Sequence, residues 1–163
     1  MYNEQNVKKW KEELKREGYT VGEGRYYHEV DFNFNDKNGD SCFAAGVIIS
    51  KYCCGLKELG YFEGSILLLK DKKCREIIKT MIKVITYHAK NMKRVANKKS
   101  SIFCTISEKQ PGNKVLLESL REAGWKKTSV FKSNHGNYNI HLFILQGEAY
   151  RKELKIERKR KHD

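Results

Sequence analysis

The 163-residue sequence has no hydrophobic run long enough to cross a lipid bilayer. Its longest apolar runs, Phe43–Ile49 and Ile66–Leu69, are far shorter than the roughly 20 residues that a membrane-spanning helix needs. Residues 1–18 are polar and include acidic side chains, so they match neither a signal peptide nor a transit peptide. We therefore expect a soluble cytoplasmic protein with no membrane partner.

The sequence also lacks the cysteine and histidine spacing of a metal site. Of its five cysteines, Cys53 and Cys54 are adjacent and the others are isolated, and no C-x-x-C pair occurs. The five histidines are equally scattered. Structural zinc sites draw on closely spaced pairs of these residues. We expect reduced thiols and no metal.

Acidic residues are scarce in two segments, and this scarcity produces the net charge of +13. Residues 1–70 contain 10 Lys/Arg and 11 Asp/Glu, whereas residues 71–99 contain 10 against 2 and residues 150–163 contain 7 against 3. Concentrated positive charge is typical of a protein with a polyanionic partner or a phosphorylated cofactor. A lysine-rich surface that only maintains solubility is the alternative.

Hydrophobic periodicity divides the chain into helices and strands. Gly22 and Gly24 predict a turn, and Cys53–Phe62 predicts a loop or short helix. The predicted helices are Asn6–Gly18, Asp71–Asn97 and Asn113–Ala123. The predicted strands are Tyr26–Asn35, Ser41–Lys51, Gly64–Lys70, Ser101–Ser107, Lys126–Ser133 and Tyr138–Leu145.

This order of elements predicts a mixed α/β sheet (α+β), flanked by helices on both faces. The strand Gly64–Lys70 is apolar on both faces, so we expect it to be central. No repeat and no linker interrupts the pattern, which indicates a single domain over residues 1–149. Residues 150–163 form a basic tail that we expect to fray.

One segment points to a family. Residues Asn113 to Trp125 read NKVLLESLREAGW, in which an Asn starts a helix and Gly-Trp closes it. With the element order over residues 26–145, this segment resembles the GCN5-related N-acetyltransferase (GNAT) superfamily, in which it reads approximately N-x-x-A-x-x-L-Y-x-x-x-G-F. Asn113, Gly124 and Trp125 match the family's Asn, Gly and aromatic residue, and Leu116 takes the small apolar position.

The resemblance implies an activity and a cofactor. Members of the family transfer an acyl group from acetyl-CoA or another acyl-CoA to an amine, which attacks directly in a ternary complex. The family's Asn lies near the pantetheine arm of the cofactor, which implies that role for Asn113. The tyrosine that many members use as a general acid aligns with Leu120, which cannot donate a proton.

The family's glycine-rich pyrophosphate loop has no counterpart at Lys70–Arg75, where glycine is absent. In the family, glycines let backbone N–H groups approach the phosphates at a helix N-terminus. Side-chain cations of Lys72, Lys73 and Arg75 are candidates to replace that loop. Alternatively, Asp71 is the N-cap of the helix and these cations are only solvated.

Three residues are candidates for acid–base chemistry. His28 and Glu29 belong to a strand rich in titratable groups, and either is a candidate base. Glu63 precedes the predicted central strand, where a base for the acceptor could lie. For each of them, a purely structural role on a packed or solvated face is the alternative.

The basic segments suggest a nucleic acid, or a protein bound to nucleic acid, as the partner. On the long predicted helix, a cationic stripe lies largely opposite the apolar one, and the tail adds further cations. The candidate nucleic-acid-binding residues are Lys79, Lys83, Lys90, Arg94, Arg158, Lys159 and Arg160. Two functions follow: a diverged acyltransferase that acts on or near nucleic acid, or an inactive GNAT-fold module that only binds such a partner. The sequence does not indicate an oligomeric state.

Overall fold

The computed structural model describes residues 2–25, 29–49, 54–61, 72–91 and 102–145. The helices are α1 (Glu4–Arg16), α2 (Lys72–Asn91) and α3 (Asn113–Glu122). The strands are β1 (Thr20–Arg25), β2 (Glu29–Asn35), β3 (Ser41–Ile49), β4 (Cys54–Tyr61), β5 (Ile102–Ser107), β6 (Lys126–Lys132) and β7 (Asn139–Leu145).

The seven strands form one sheet in the order β1-β2-β3-β4-β5-β7-β6. Every neighbouring pair is antiparallel except β4 and β5, which run parallel and are connected through α2. The last strand, β7, lies between β5 and β6, so the closing hairpin joins the sheet through its second strand. The predicted mixed α/β sheet is therefore confirmed.

The three described helices lie on one face of the sheet. Cross-strand pairing runs from Val30 of β2 through β3, β4 and Cys104 of β5 to Phe143 of β7, so these three residues lie on that face. The ring of His88 on α2 stacks on Phe32, two residues from Val30 on the same face, with 5.2 Å between ring centroids. Since α2 contacts both α1 and α3, the helices form a single layer. A second helical layer is not seen within the described ranges.

The predicted turn at Gly22 and Gly24 is wrong, because these residues belong to β1. The two glycines alternate with Val21 and Glu23. Val21 packs against the core, and Glu23 accepts a hydrogen bond from Lys11 on α1 at 3.2 Å. The glycines thus occupy the opposite face of an ordinary strand, which pairs with β2 along its whole length.

The predicted loop or short helix at Cys53–Phe62 is also wrong, since Cys54–Tyr61 is strand β4, paired with β3. Within the described ranges, four strands precede α2. The predicted strand Gly64–Lys70 lies outside the described residues, as does the predicted extension of α2 beyond Asn91.

No helix within the described ranges is both long and apolar enough to cross a membrane.

A buried hydrogen bond joins α2 to the segment that follows α3. The indole Nε1 of Trp125 donates to Oγ1 of Thr86 at 2.9 Å, and the Thr86 hydroxyl donates to the carbonyl of Ile82 at 2.7 Å. Trp125 and Thr86 are almost fully buried. A buried N–H that loses its acceptor retains its desolvation cost, so this contact fixes how α2 meets the end of α3.

We expect Thr86→Val, which keeps the side-chain shape but leaves the indole N–H unpaired, to lower the free energy of unfolding by about 1–3 kcal/mol. Urea titration followed by tryptophan fluorescence measures the change. Thr80→Val is the control, because the Thr80 hydroxyl donates to Glu76 within the same helix at 3.0 Å. Equal stability of the Thr86 variant and wild type would contradict this role.

Candidate active site

The sheet opens between its two parallel strands. β4 and β5 pair at Cys54–Ile102, Gly55–Phe103 and Leu56–Cys104, and no pair between them follows, although both strands continue. Beyond this point β4 stays paired with β3, and β5 stays paired with β7. Beyond Leu56 and Cys104, the facing backbone groups of the two strands are therefore not paired with each other.

In sheets with parallel strands, each strand is commonly followed along the chain by a helix. Here α2 follows β4 and α3 follows β5. α3 starts at Asn113, with Gly112 as its N-cap at φ 71° and no side chain capping the helix. The Asn113 amide donates from Nδ2 to the carbonyls of Glu108 and Gln110 at 2.9 and 3.0 Å. Asn113 therefore fixes the turn that carries the chain from β5 into α3.

A carboxylate and an imidazole meet where β5 ends. Glu108 is the first residue after β5, and its backbone N–H donates to the Asn139 carbonyl at 2.9 Å. Its Oε1 lies 3.0 Å from Nε2 of His141, which stands on β7 opposite Ile106. The two side chains are 41% and 13% exposed, so Glu108 faces solvent and His141 is largely enclosed.

The hydrogen bond from His141 is the main cause of a lowered pKa for the Glu108 carboxyl group. Glu108 is therefore ionised at neutral pH and only accepts hydrogen bonds, which requires a proton on His141 Nε2. In the neutral imidazole the remaining lone pair then lies on Nδ1, which is buried and has no hydrogen-bond partner within the described residues. The carboxylate thus fixes the tautomer and the orientation of the ring.

The start of α2 carries exposed cations and no acidic residue in its first turn. Lys73 forms an ion pair with Glu17 of α1 at 2.9 Å. Lys72 and Arg75 are exposed and form no ion pair with any residue in the described ranges. Of the three cations predicted to bind the cofactor, these two are the more available to an anionic ligand.

The predicted nucleic-acid-binding lysines of α2 contact other parts of the same chain. Lys79 is 14% exposed and lies 3.2 Å from carboxylates of both Glu118 and Glu122 on α3. Lys83 lies over the Trp10 ring, 5.9 Å from its centroid, and Lys90 lies similarly over Tyr2 at 5.0 Å. Their nucleic-acid role remains a prediction, and it would require giving up these contacts. Arg94, Arg158, Lys159 and Arg160 lie outside the described residues.

The residues predicted to be catalytic are not brought together. Glu29 lies on β2, three strands away from β5, which corresponds to about 14 Å. His28 and Glu63 lie outside the described residues. Leu120, at the position of the family's tyrosine, is fully buried in the core.

Sequence reasoning missed Glu108 and His141. The signal for Glu108 was its place directly after a predicted strand. His141 gave no such signal, because only the insertion of β7 beside β5 brings it to Glu108. Among the described residues, no group of three His, Cys, Asp or Glu could hold a metal ion.

No protein-family model matches the sequence, and no curated protein is similar to it in sequence. Solved structures are similar in fold. A variant of spermidine N-acetyltransferase SpeG from Vibrio cholerae superposes with a TM-score of 0.52 at 11% identity, over 76% of this chain and 67% of that one. A dodecameric structure of the same enzyme gives 0.51 at 12% identity, over 76% and 68%. A complex of that enzyme with manganese ions also gives 0.51 at 12%, over 78% and 70%.

The lowered pKa of Glu108 predicts how stability depends on pH. A group whose pKa falls below its ordinary value of 4.5 on folding stabilises the protein above that value and loses this effect as the pH falls. We expect Glu108→Gln to lower the melting temperature at about pH 5, and we expect its difference from wild type to shrink as the pH falls below 4.5.

Thermal unfolding monitored by circular dichroism at several pH values measures this difference. Glu12→Gln, which removes an exposed carboxylate from α1, is the control and should follow wild type throughout. A gap between wild type and Glu108→Gln that widens toward pH 3 would contradict the assignment.

Proposed function

Since the chain has the fold of the GCN5-related N-acetyltransferases, we propose that it is an N-acyltransferase that transfers an acyl group from acyl-CoA to an amine. The observation that carries this proposal is the opening between β4 and β5 after three residue pairs. Ligands of sheets with parallel strands bind beyond the carboxyl ends of those strands. A proton acceptor and exposed cations are found in the elements that follow this opening.

The described residues fit acetyl-CoA or a related acyl-CoA as the cofactor. The unpaired strand backbone of the opening suits the amides of an extended pantetheine arm, and Asn113 fixes the adjoining turn. Lys72 and Arg75 would hold phosphate groups through their side chains, since cations at a helix N-terminus add to the attraction of its dipole for anions. When bound, the cofactor supplies an activated thioester, which the amine attacks with loss of the CoA thiolate.

The amine must lose a proton during this reaction. We assign its acceptance to the Glu108 carboxylate, which faces solvent, with the enclosed His141 as the positioning residue that donates a hydrogen bond to it. Leu120 cannot protonate the leaving thiolate, but a thiol with an ordinary pKa of about 8.5 leaves readily as the anion. Glu29, His28 and Glu63 remain predictions for the same role.

The net charge of the chain suggests which class of amine accepts the acyl group. The similar SpeG structures are named for spermidine, which is a polycation. A chain with a net charge of +13 repels such a molecule and attracts polyanions. We therefore propose an acceptor amine that is part of, or bound to, a polyanion such as nucleic acid.

Calorimetric titration with acetyl-CoA tests the cofactor site. We expect wild type to bind and the double variant Lys72→Gln/Arg75→Gln to bind about tenfold more weakly, a loss of about 1.4 kcal/mol. Lys37→Gln, in the turn between β2 and β3, is the control with one exposed cation removed. Absence of binding at millimolar acetyl-CoA would exclude the proposed function.

Release of the CoA thiol in the presence of a panel of amines, including spermidine and a lysine-containing peptide, tests the acid–base assignment. Loss of a general base typically costs about 10²-fold or more in rate, so we expect Glu108→Gln to lower kcat to that extent. His141→Gln should lower kcat less and leave KM for acetyl-CoA unchanged, with Glu12→Gln as the control. Full activity of Glu108→Gln would transfer the role to Glu29, His28 or Glu63.

A further inference from the structure

The face of the sheet that is turned away from the described helices carries exposed aromatic rings at its β5-β7-β6 end. Phe103 and Phe131 are 39% and 46% exposed. Cross-strand pairing puts both on this face, because Phe103 lies opposite Ile144 and Phe131 lies opposite Ile140. We call this part of the sheet the open face. Ile140, Leu142 and Ile144 of β7 run between the two rings and are half-buried.

The three strands of the open face carry positive charge and no negative charge. Their sequences, IFCTIS, KKTSVFK and NIHLFIL, contain three lysines and neither Asp nor Glu. Lys126 lies on the open face opposite Ile144, whereas Lys127 and Lys132 pair with Phe143 and Asn139 and so lie on the other face of this exposed edge strand. Unlike Lys79 of α2, none of the three forms an ion pair with a described residue.

The spacing of the rings suits a flexible chain of flat groups. Phe103 and Phe131 are two strands and four residues apart, which places them about 16 Å from each other. Stacked bases of one strand are only about 3.4 Å apart, so the two rings would contact bases separated by several nucleotides. Phe103 is paired with Gly55 of β4, and because glycine has no side chain, none lies directly beside the Phe103 ring on that strand.

We propose that the open face binds single-stranded nucleic acid. Exposed aromatic rings stack on unpaired bases of any sequence, and cations beside them contact the phosphates. In a duplex the base faces are hidden in the stack, so duplexes should bind more weakly. A protein partner fits less well, because lysine is depleted at protein interfaces. A second copy of the chain would bring two molecules of charge +13 together. This binding does not depend on the proposed acyl transfer.

Fluorescence anisotropy with a labelled oligothymidylate, in the absence of acetyl-CoA, tests the proposal. We expect binding that weakens as salt rises, and weaker binding to a duplex of the same length. Phe103→Ala and Phe131→Ala should each raise Kd by about 5- to 150-fold, which is the usual effect of removing one stacked aromatic side chain. Circular dichroism confirms that each variant is folded.

Val130→Ala is the matched control. Val130 lies next to Phe131 on β6 and is 45% exposed, but it pairs with His141 and so lies on the other face. Its removal should leave Kd unchanged. Phe131→Leu keeps an apolar side chain without a ring, and it should bind as weakly as Phe131→Ala.

Four results would overturn the proposal: no binding to the oligonucleotide, equal affinity for the duplex, an unchanged Kd for Phe131→Leu, or equal losses for Phe131→Ala and Val130→Ala. Self-association in sedimentation velocity that Phe131→Ala abolishes would assign the open face to a second copy instead. Failure of acetyl-CoA binding alone would leave this proposal intact, since the oligonucleotide is titrated without it.

Discussion

The structure depends on the short parallel contact between β4 and β5. On one side of it, β1 to β4 form an antiparallel unit, and on the other, β5, β7 and β6 form a second. Three residue pairs join the two units within the described chain. So short a ladder contributes little to holding the two units together, and α2 supplies the remaining connection between them. It stacks His88 on Phe32 of the first unit and bonds Thr86 to Trp125, which leads into β6 of the second.

The same contact accounts for the chemistry that we propose. A full-length ladder between β4 and β5 would pair every backbone group and leave no room for a ligand between the strands. Because the ladder ends early, the site lies at the boundary of the two units. Glu108 and His141 belong to the second unit and are held by its antiparallel pairing, so their geometry does not depend on how far the strands separate.

Local signals in the sequence predicted α3 and the closing hairpin well. The Gly124 that ends α3 adopts φ 98°, a conformation that favours glycine, and such signals act within a few residues. β1 was misread because glycine is also the usual mark of a turn, and only pairing with β2 distinguishes the two. The apolar stripe of α2 belongs to the core, with Ile78, Met81, Ile82 and Ile85 almost fully buried.

The site contacts that the sequence did not predict are contacts between segments far apart in the chain. Lys79 was interpreted as part of a cationic surface, but its carboxylate partners are 39 and 43 residues further along the chain. Glu108 and His141 are separated by 33 residues and by an intervening helix and strand. No spacing rule connects such pairs, because they follow from the order of strands in the sheet.

The early end of the β4–β5 ladder also has a mechanical consequence. Beyond Leu56 and Cys104, widening the gap breaks no hydrogen bond between the two strands, since each is bonded to its other neighbour. Side chains of α2 contact both units, since His88 stacks on Phe32 and Thr86 is bonded to Trp125. We therefore expect substitutions among the buried side chains of α2, far from any reacting atom, to change the width of the gap.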